Sequence, residues 1–204
     1  MNPSRICAWT VLVLALGVLS PRSFATTVVP PSFDSLVSQA DFVVRAVVKS
    51  KTSEWRTDSG GRHIITKVTF DVREIIKGQP TLPLVLQMLG GTIGEKTMVV
   101  EGAPAFNMGE DDILFVHGNG TQFVPLVAIM YGQFLVMRDT ATGQDVVHRS
   151  NGSALYDVND VTQPMTAATA ARSSGPRPLT ATQFSEKVRA SHAQRNSPPP
   201  ADAN

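Results

Sequence analysis

Between Ile64 and Gly78 the chain reads IITKVTFDVREIIKG. Ile64, Thr66, Val68, Phe70 and Val72 alternate with Lys67, Thr69, Asp71 and Arg73. A period of two with β-branched and aromatic residues on one side predicts a half-buried strand. Lys77-Gly78 ends it, and Pro80 prevents it from resuming. Upstream, Phe42, Val44, Ala46 and Val48 alternate with Val43, Arg45, Val47 and Lys49. Apolar residues stand on both sides at one end of that stretch, which predicts a central strand. The polar segment Lys51 to Arg62, with the turn signal Asp58-Ser59-Gly60-Gly61, links the two as a long hairpin.

Downstream the elements are shorter. Leu82, Leu84, Leu86 and Met88 share a face, and Pro83 among them predicts a strand start or an edge. Gly90-Gly91-Thr92-Ile93-Gly94 holds three glycines in five residues. That density predicts a bulge, a positive-φ turn or a close backbone approach. Further strands are expected at Thr97 to Glu101, Ile113 to His117, Phe123 to Met130 and Gln133 to Arg138, with Tyr131-Gly132 as a hairpin turn. A weaker pair surrounds Thr140 to Gly143, with Asp145 to His148 returning. Ser32 caps a short helix in which Phe33, Leu36 and Val37 share a face. So many short strands are expected to close into a small barrel, which removes the edges that invite aggregation.

Beyond Val161 the composition shifts to Thr, Ala, Ser and Pro. Residues 163–178 read as a flexible linker, 179–194 as a helix, and 195–204, with three consecutive prolines, as a disordered tail. Thr180 with Gln183 fits a capping box, and Leu179 with Phe184 the hydrophobic staple that accompanies it. Phe184 and Val188 form its apolar seam. On a linker of this length, the helix is expected to be dispensable for folding of the barrel.

The first 25 residues read as an export signal. Arg5 is the basic end, Ile6 to Leu19 the apolar run, and Ser23-Phe24-Ala25 the small residues before a cleavage site. The run is shorter than the roughly 20 residues a membrane span needs. The expected product, secreted or periplasmic, starts at Thr26 and has lost Cys7, the only cysteine. It must therefore fold without a disulfide. Removal of Arg5 and Arg22 leaves 16 Lys and Arg against 17 Asp and Glu. Residues 26–162, the barrel domain, carry 11 basic and 15 acidic residues, which argues against nucleic acid as a partner.

No pattern announces catalysis, a cofactor or a metal. His63, His117, His148 and His192 lack partners at metal-ligand spacing. Glu110-Asp111-Asp112 is a candidate for a hard cation or for paired carboxylates, but reads first as a charged turn before a buried strand. Asp157-Val158-Asn159-Asp160 begins like a calcium loop and lacks its glycine and closing glutamate, so it reads as a solvated loop. No G-x-S-x-G elbow occurs, and the glycine run at 90–94 lacks the Lys-Ser/Thr and helix of a phosphate cradle.

Residues 40–48, ADFVVRAVV, followed by 68–78, VTFDVREIIKG, resemble the first two strands of netrin-like modules, the class of the tissue inhibitors of metalloproteinases. Gly90 to Gly94, Gly102-Ala103-Pro104 with Phe106 and Gly109-Glu110, and Tyr131 to Val136 resemble exported bacterial proteins with that beginning. The resemblance covers roughly residues 33 to 137 and implies an OB-like five-stranded barrel with additions. Inhibitors of that class chelate a protease zinc through a disulfide-anchored N-terminal cysteine. Here Thr26 stands at that place, so the resemblance carries the fold and not that mechanism.

The expectation is thus a mainly β, OB-like small barrel with extra strands, a short N-terminal helix and a C-terminal helix. Its expected role is that of a monomeric, non-catalytic, exported binding module whose partner is an extracytoplasmic protein such as a metalloprotease, with no cofactor. Gly90, Gly91, Ile93, Pro104 and Phe106 are the candidate contacts, with Ile93 the most exposed among them. The alternatives are a hydrolase drawing on Glu110, Asp111 and the histidines, or a structural envelope protein.

Overall fold

The computed structural model describes residues 29–165 and 176–196. Helix α1 (Phe33–Gln39) leads into β1 (Phe42–Asp58) and β2 (Gly61–Lys77). Then follow β3 (Leu84–Leu89), β4 (Gly91–Ile93), β5 (Lys96–Met98), β6 (Asp111–Val116), β7 (Gln133–Arg138), β8 (Asp145–Arg149) and α2 (Ala181–Asn196). The chain is mainly β, with every strand pair antiparallel. The expected signal at 1–25, most of the linker and the end of the tail lie outside the described residues.

Six strands form one sheet in the order β3-β2-β1-β6-β7-β8, and β4 and β5 pair as a separate hairpin. Strand β1 is interior, as its two-sided apolar pattern predicts. The polar stretch after it is strand rather than loop: pairing with β2 continues to Asp58↔Gly61. Ile64 and Ile65 are buried in this ribbon opposite Trp55 and Glu54, and cross-strand side-chain contacts hold its exposed part. Lys67 meets Glu54 at 2.7 Å, and the Arg62 guanidinium lies 4.3 Å from the Trp55 ring.

The sheet is covered on both faces where β1 meets β6. Val44, Ala46, Val48, Val68, Phe70, Leu84, Leu86 and Leu114 pack on the inner face. Val43, Ile113, Phe115, Phe134 and Val147 pack on the other, beneath the two helices. This is why Asp112 to Val116 are buried without alternation, the pattern of a strand covered twice. A register shift between Arg45 and Ala46 turns the even-numbered residues of β2 from the inner face to the helix side, so Ile76 joins the helix-side core although Phe70 and Val68 face inward.

Phe123 to Met130 is not the strand its composition predicts. Pro125 cannot donate to a ladder, and only one bridge forms, Val116↔Leu126. The chain then turns sharply: Ala128 and Ile129 adopt φ of 50° and 59°, and a 3-10 turn follows at Ile129–Gly132. The same loop covers the edge of β3. Asn119 accepts from Gln87 N and donates to Val85 O, imitating a neighbouring strand, and Leu89 N donates to Phe123 O.

Lys77-Gly78 has two structural tasks. The Lys77 ammonium donates to the carbonyls of Val37 and Ala40 and so closes the C-terminus of α1. Gly78 passes so close to Asp41 that a Cβ would sit 2.4 Å from its carbonyl oxygen.

Helix α2 docks through Phe184 and Val188, the two residues of its expected apolar seam. The capping box forms: Thr180 N donates to Gln183 Oε1 at 3.0 Å, and Gln183 N to Thr180 Oγ1 at 3.2 Å. Phe184 and Val188 are fully buried against Phe33, Phe115 and Phe134. Leu179 pairs its backbone with Leu155 and Val147 beside β8. The apolar seam is short, but it meets an aromatic socket, so the helix completes the core.

Candidate functional site

Of the three forms that the glycine run predicts, the structure shows a close backbone approach at positive φ. Gly90 and Gly91 have φ of 98° and 135°, and a Cβ on Gly91 would lie 2.2 Å from Thr66 Oγ1 and 2.6 Å from Ser53 Oγ. Only glycine lets β4 cross the β1–β2 ribbon at this distance. The hairpin then stands off the sheet, and the chain returns through Val99 to Phe106. Between them lies a groove of about 470 Å³.

Four of the five candidate contacts meet there: Gly90, Gly91, Pro104 and Phe106 line the groove. Their roles differ. Phe106 is only 2% exposed and packs edge-on to Phe70 at 5.3 Å, so it forms the floor and belongs to the core. Ile93 is half-buried at the tip of the hairpin and does not line the groove. Val99, 82% exposed at its rim, is an apolar side chain outside the set of candidate contacts. A strand was expected to hide it. The ladder stops at Met98, which leaves Val99 outside any sheet.

The polar groups of the groove are bonded to one another. Ser53 Oγ and Thr66 Oγ1 are 2.9 Å apart, Thr66 Oγ1 donates to Gly90 O at 2.7 Å, and the Lys51 ammonium donates to Phe106 O. Met88, Leu89, Met98 and Val100 supply apolar walls. The hairpin itself has ladder partners only within its own pair.

The acidic triplet divides three ways, because alternate residues face opposite sides. Asp111 receives a two-pronged bond from Arg45, whose Nη2 also reaches Asp145 at 2.8 Å, and Arg138 bonds Asp145 from solvent. Hydrogen bonds from Arg45, then Arg138, hold the Asp145 carboxyl below the usual range. Glu110 accepts from the backbone and side-chain amides of Asn107. Asp112 turns inward and is fully buried. Burial, with the charge of Glu110 adding to it, pushes its carboxyl up to about 8. Gln133 Nε2 lies 3.2 Å from Asp112 Oδ1, 3.1 Å from Ala105 O and 3.5 Å from Glu110 Oε1. The signal for this cluster was a glutamine opening a strand whose core is apolar.

The histidines remain apart. His63 faces Asp58 at 3.4 Å, His117 faces Asp41 at 3.2 Å, His148 bonds Gly152 O, and His192 bonds Asn196. No group of three metal-ligating side chains forms among the described residues. Asp157 and Asp160 cap a 3-10 turn reciprocally, with Asp157 accepting from Asn159 N at 2.9 Å and Asp160 from Asp157 N at 3.0 Å. Among the described residues no helix is long and apolar enough to cross a membrane. Compared with known proteins, the chain matches no family model and, at significant similarity, no curated protein.

Proposed function

We propose that the chain is an exported, non-catalytic binding module that receives an extended apolar segment of an extracytoplasmic protein in the groove beneath the β4–β5 hairpin. A single observation carries this: the groove's hydroxyls and ammonium are bonded internally, while its rim presents Val99 and its walls present methionine and leucine. Such a surface recognises apolar side chains, and a hairpin with an unpaired edge adds backbone pairing to an extended partner. An exported protease is the partner class that the netrin-like resemblance suggests. The strand order β3-β2-β1-β6-β7 is compatible with an OB-like barrel in which the loop at 117–127 covers the edge of β3. Ser23-Phe24-Ala25 and the preceding apolar run support export.

A displayed random-peptide library, selected on the immobilised protein, tests the reading. Peptides with a central apolar pair are expected, and Val99→Asp should lose them while keeping its unfolding midpoint, because Val99 touches so little. Equal enrichment on wild type and Val99→Asp would exclude the groove. A second reading, a hydrolase, draws on the raised carboxyl of Asp112 beside Glu110. It requires a substrate to reach a fully buried side chain, and for that reason it ranks below binding.

A further inference from the structure

A second cavity, about 430 Å³, lies on the face of the β1–β2 ribbon turned away from the groove. Strand pairing sets Arg56 opposite His63 and Ile65 opposite Leu89, and all four residues line it. Ser53 and Thr66, which line the groove, project from the other face, because successive strand residues alternate. Ile65 and Met88, each only 6% exposed, give the cavity an apolar lining together with Leu89. Phe123 stands at its margin, 74% exposed.

The other ionisable side chains on this part of the face are paired. Lys67 meets Glu54 at 2.7 Å. Asp58 faces His63 at 3.4 Å with one oxygen and accepts from Gly60 N at 2.8 Å with the other. Arg56 carries five N–H donors. Among the described residues it makes one hydrogen bond, to Gln87 Oε1 at 3.3 Å, and no ion pair. Outside them, residues 1–28 and 166–175 contain no acidic side chain, and residues 197–204 contain only Asp202. An apolar lining and a guanidinium without a carboxylate partner among the described residues thus share one cavity.

We infer that this cavity binds an organic monocarboxylate with an apolar body, its carboxylate on Arg56 and its body against Ile65, Leu89 and Phe123. The planar guanidinium matches a carboxylate through two parallel hydrogen bonds. One arginine with Asp58 in the same lining suits a single negative charge, whereas a phosphate dianion is repelled more strongly by that carboxylate. The exposed ring of Phe123 offers an apolar surface that the body of the ligand covers. A cavity of this size holds a body of about ten heavy atoms, such as an aryl alkanoate or the last residue of a peptide. The site is separate from the groove, since neither Arg56 nor Ile65 lines the latter.

The test uses the full-length protein near neutral pH and at low salt, with labelled isoleucine and valine methyl groups observed by NMR. Phenylbutyrate represents a free acid, and acetyl-alanyl-phenylalanine, its carboxylate free, represents the end of a partner chain. The expected result is saturable movement of the Ile65 methyl signal with one or both. Val68, which lines the groove but not this cavity, should stay unmoved. Phenylbutanamide and acetate, which each lack one half of the ligand, should give no saturable movement. A response to phenylbutyrate alone means a free-acid site, and a stronger response to the peptide acid means the C-terminus of a partner. Arg56→Gln should weaken binding about tenfold or more, and Arg56→Lys should recover only part of that loss. An equal response to the amide, no saturation with either acid, movement of Val68 in place of Ile65, or wild-type binding in Arg56→Gln would overturn the inference. Tighter binding in Asp202→Asn would make the protein's own tail the occupant and overturn it as well. The wild-type titrations decide it even if a variant fails to fold. Val99→Asp should bind the acid as wild type does, since Val99 does not line this cavity.

Discussion

The ring of Phe184 lies 4.9 Å, centroid to centroid, from that of Phe134, which ties a residue beyond the linker to the middle of the sheet. Phe33 and Phe115 complete the socket at 5.7 and 6.1 Å. Filling a full aromatic site is worth more than the marginal stability of a free helix of this length. Phe184→Ala is therefore expected to cost on the order of 3 to 5 kcal/mol in a urea titration, while the exposed Lys187→Ala costs less than about 0.5 kcal/mol. Truncation after Val161 should remove cooperative unfolding. A truncated chain that unfolds with wild-type midpoint would return α2 to the status of an appendage.

Asp112 governs a pH dependence of the opposite sign to the usual carboxylate. Its folded-state pKa is raised, so between about 4 and about 8 the native state holds a proton that the unfolded state releases. Stability contributed by the neutral form is complete below the unfolded value, falls through that window, and is level above it. Asp112→Asn should flatten the slope. At pH 8 it should be more stable than wild type by an amount on the order of 3 to 5 kcal/mol, with little difference at pH 4. Parallel stability curves for the two proteins would show that Asp112 is not the titrating group. Burial raises this value most, the charges of Glu110 and Asp111 raise it further and the Gln133 hydrogen bond lowers it, so Glu110→Gln should move the midpoint of the slope downward.

What the sequence made legible, and what it hid, follows from the range of the interactions involved. The β1–β2 pair was visible because its alternation is local, and the α2 cap was visible because both partners lie within four residues. The ribbon at 51–62 was hidden. Its strands are held by cross-strand pairs such as Glu54 with Lys67, which leave no apolar period to read. The loop at 123–130 misled because its composition suits a strand apart from Pro125, and the turn through Ala128 and Ile129 that brings Gly132 against Val127 leaves no local period to read. Of the candidate contacts, Gly90, Gly91 and Pro104 line the groove together with Phe106. That Phe106 faces inward depends on Phe70 beneath it, a contact that sequence spacing does not encode.

Ala128 holds a left-handed backbone at φ 50°, directly before Ile129 at φ 59°. A side chain with a Cβ is strained there by about 1 to 2 kcal/mol, and glycine is not. Ala128→Gly should raise stability by up to about 1 kcal/mol, the strain relief offsetting glycine's greater freedom in the unfolded chain. A thermal melt showing destabilisation instead would mean that the methyl group's packing on the helix-side core outweighs the backbone strain.

Gly91 and Gly94 separate steric from conformational demand in the hairpin that builds the groove. Both have positive φ, 135° and 57°, but a Cβ on Gly94 meets nothing within 4 Å, whereas one on Gly91 collides with Thr66 and Ser53. Gly94→Ala should therefore cost only about 1 kcal/mol, the left-handed penalty. Gly91→Ala must in addition push β4 away from the ribbon, and a cost about 2 kcal/mol larger is expected. Thr66→Ala removes the atom of nearest approach, so the double variant Gly91→Ala with Thr66→Ala should recover part of that extra cost. If the two glycine variants are equally destabilised, or the double variant is strictly additive, the hairpin is not held by this contact. The groove walls would then be set by the Val99 to Phe106 segment alone.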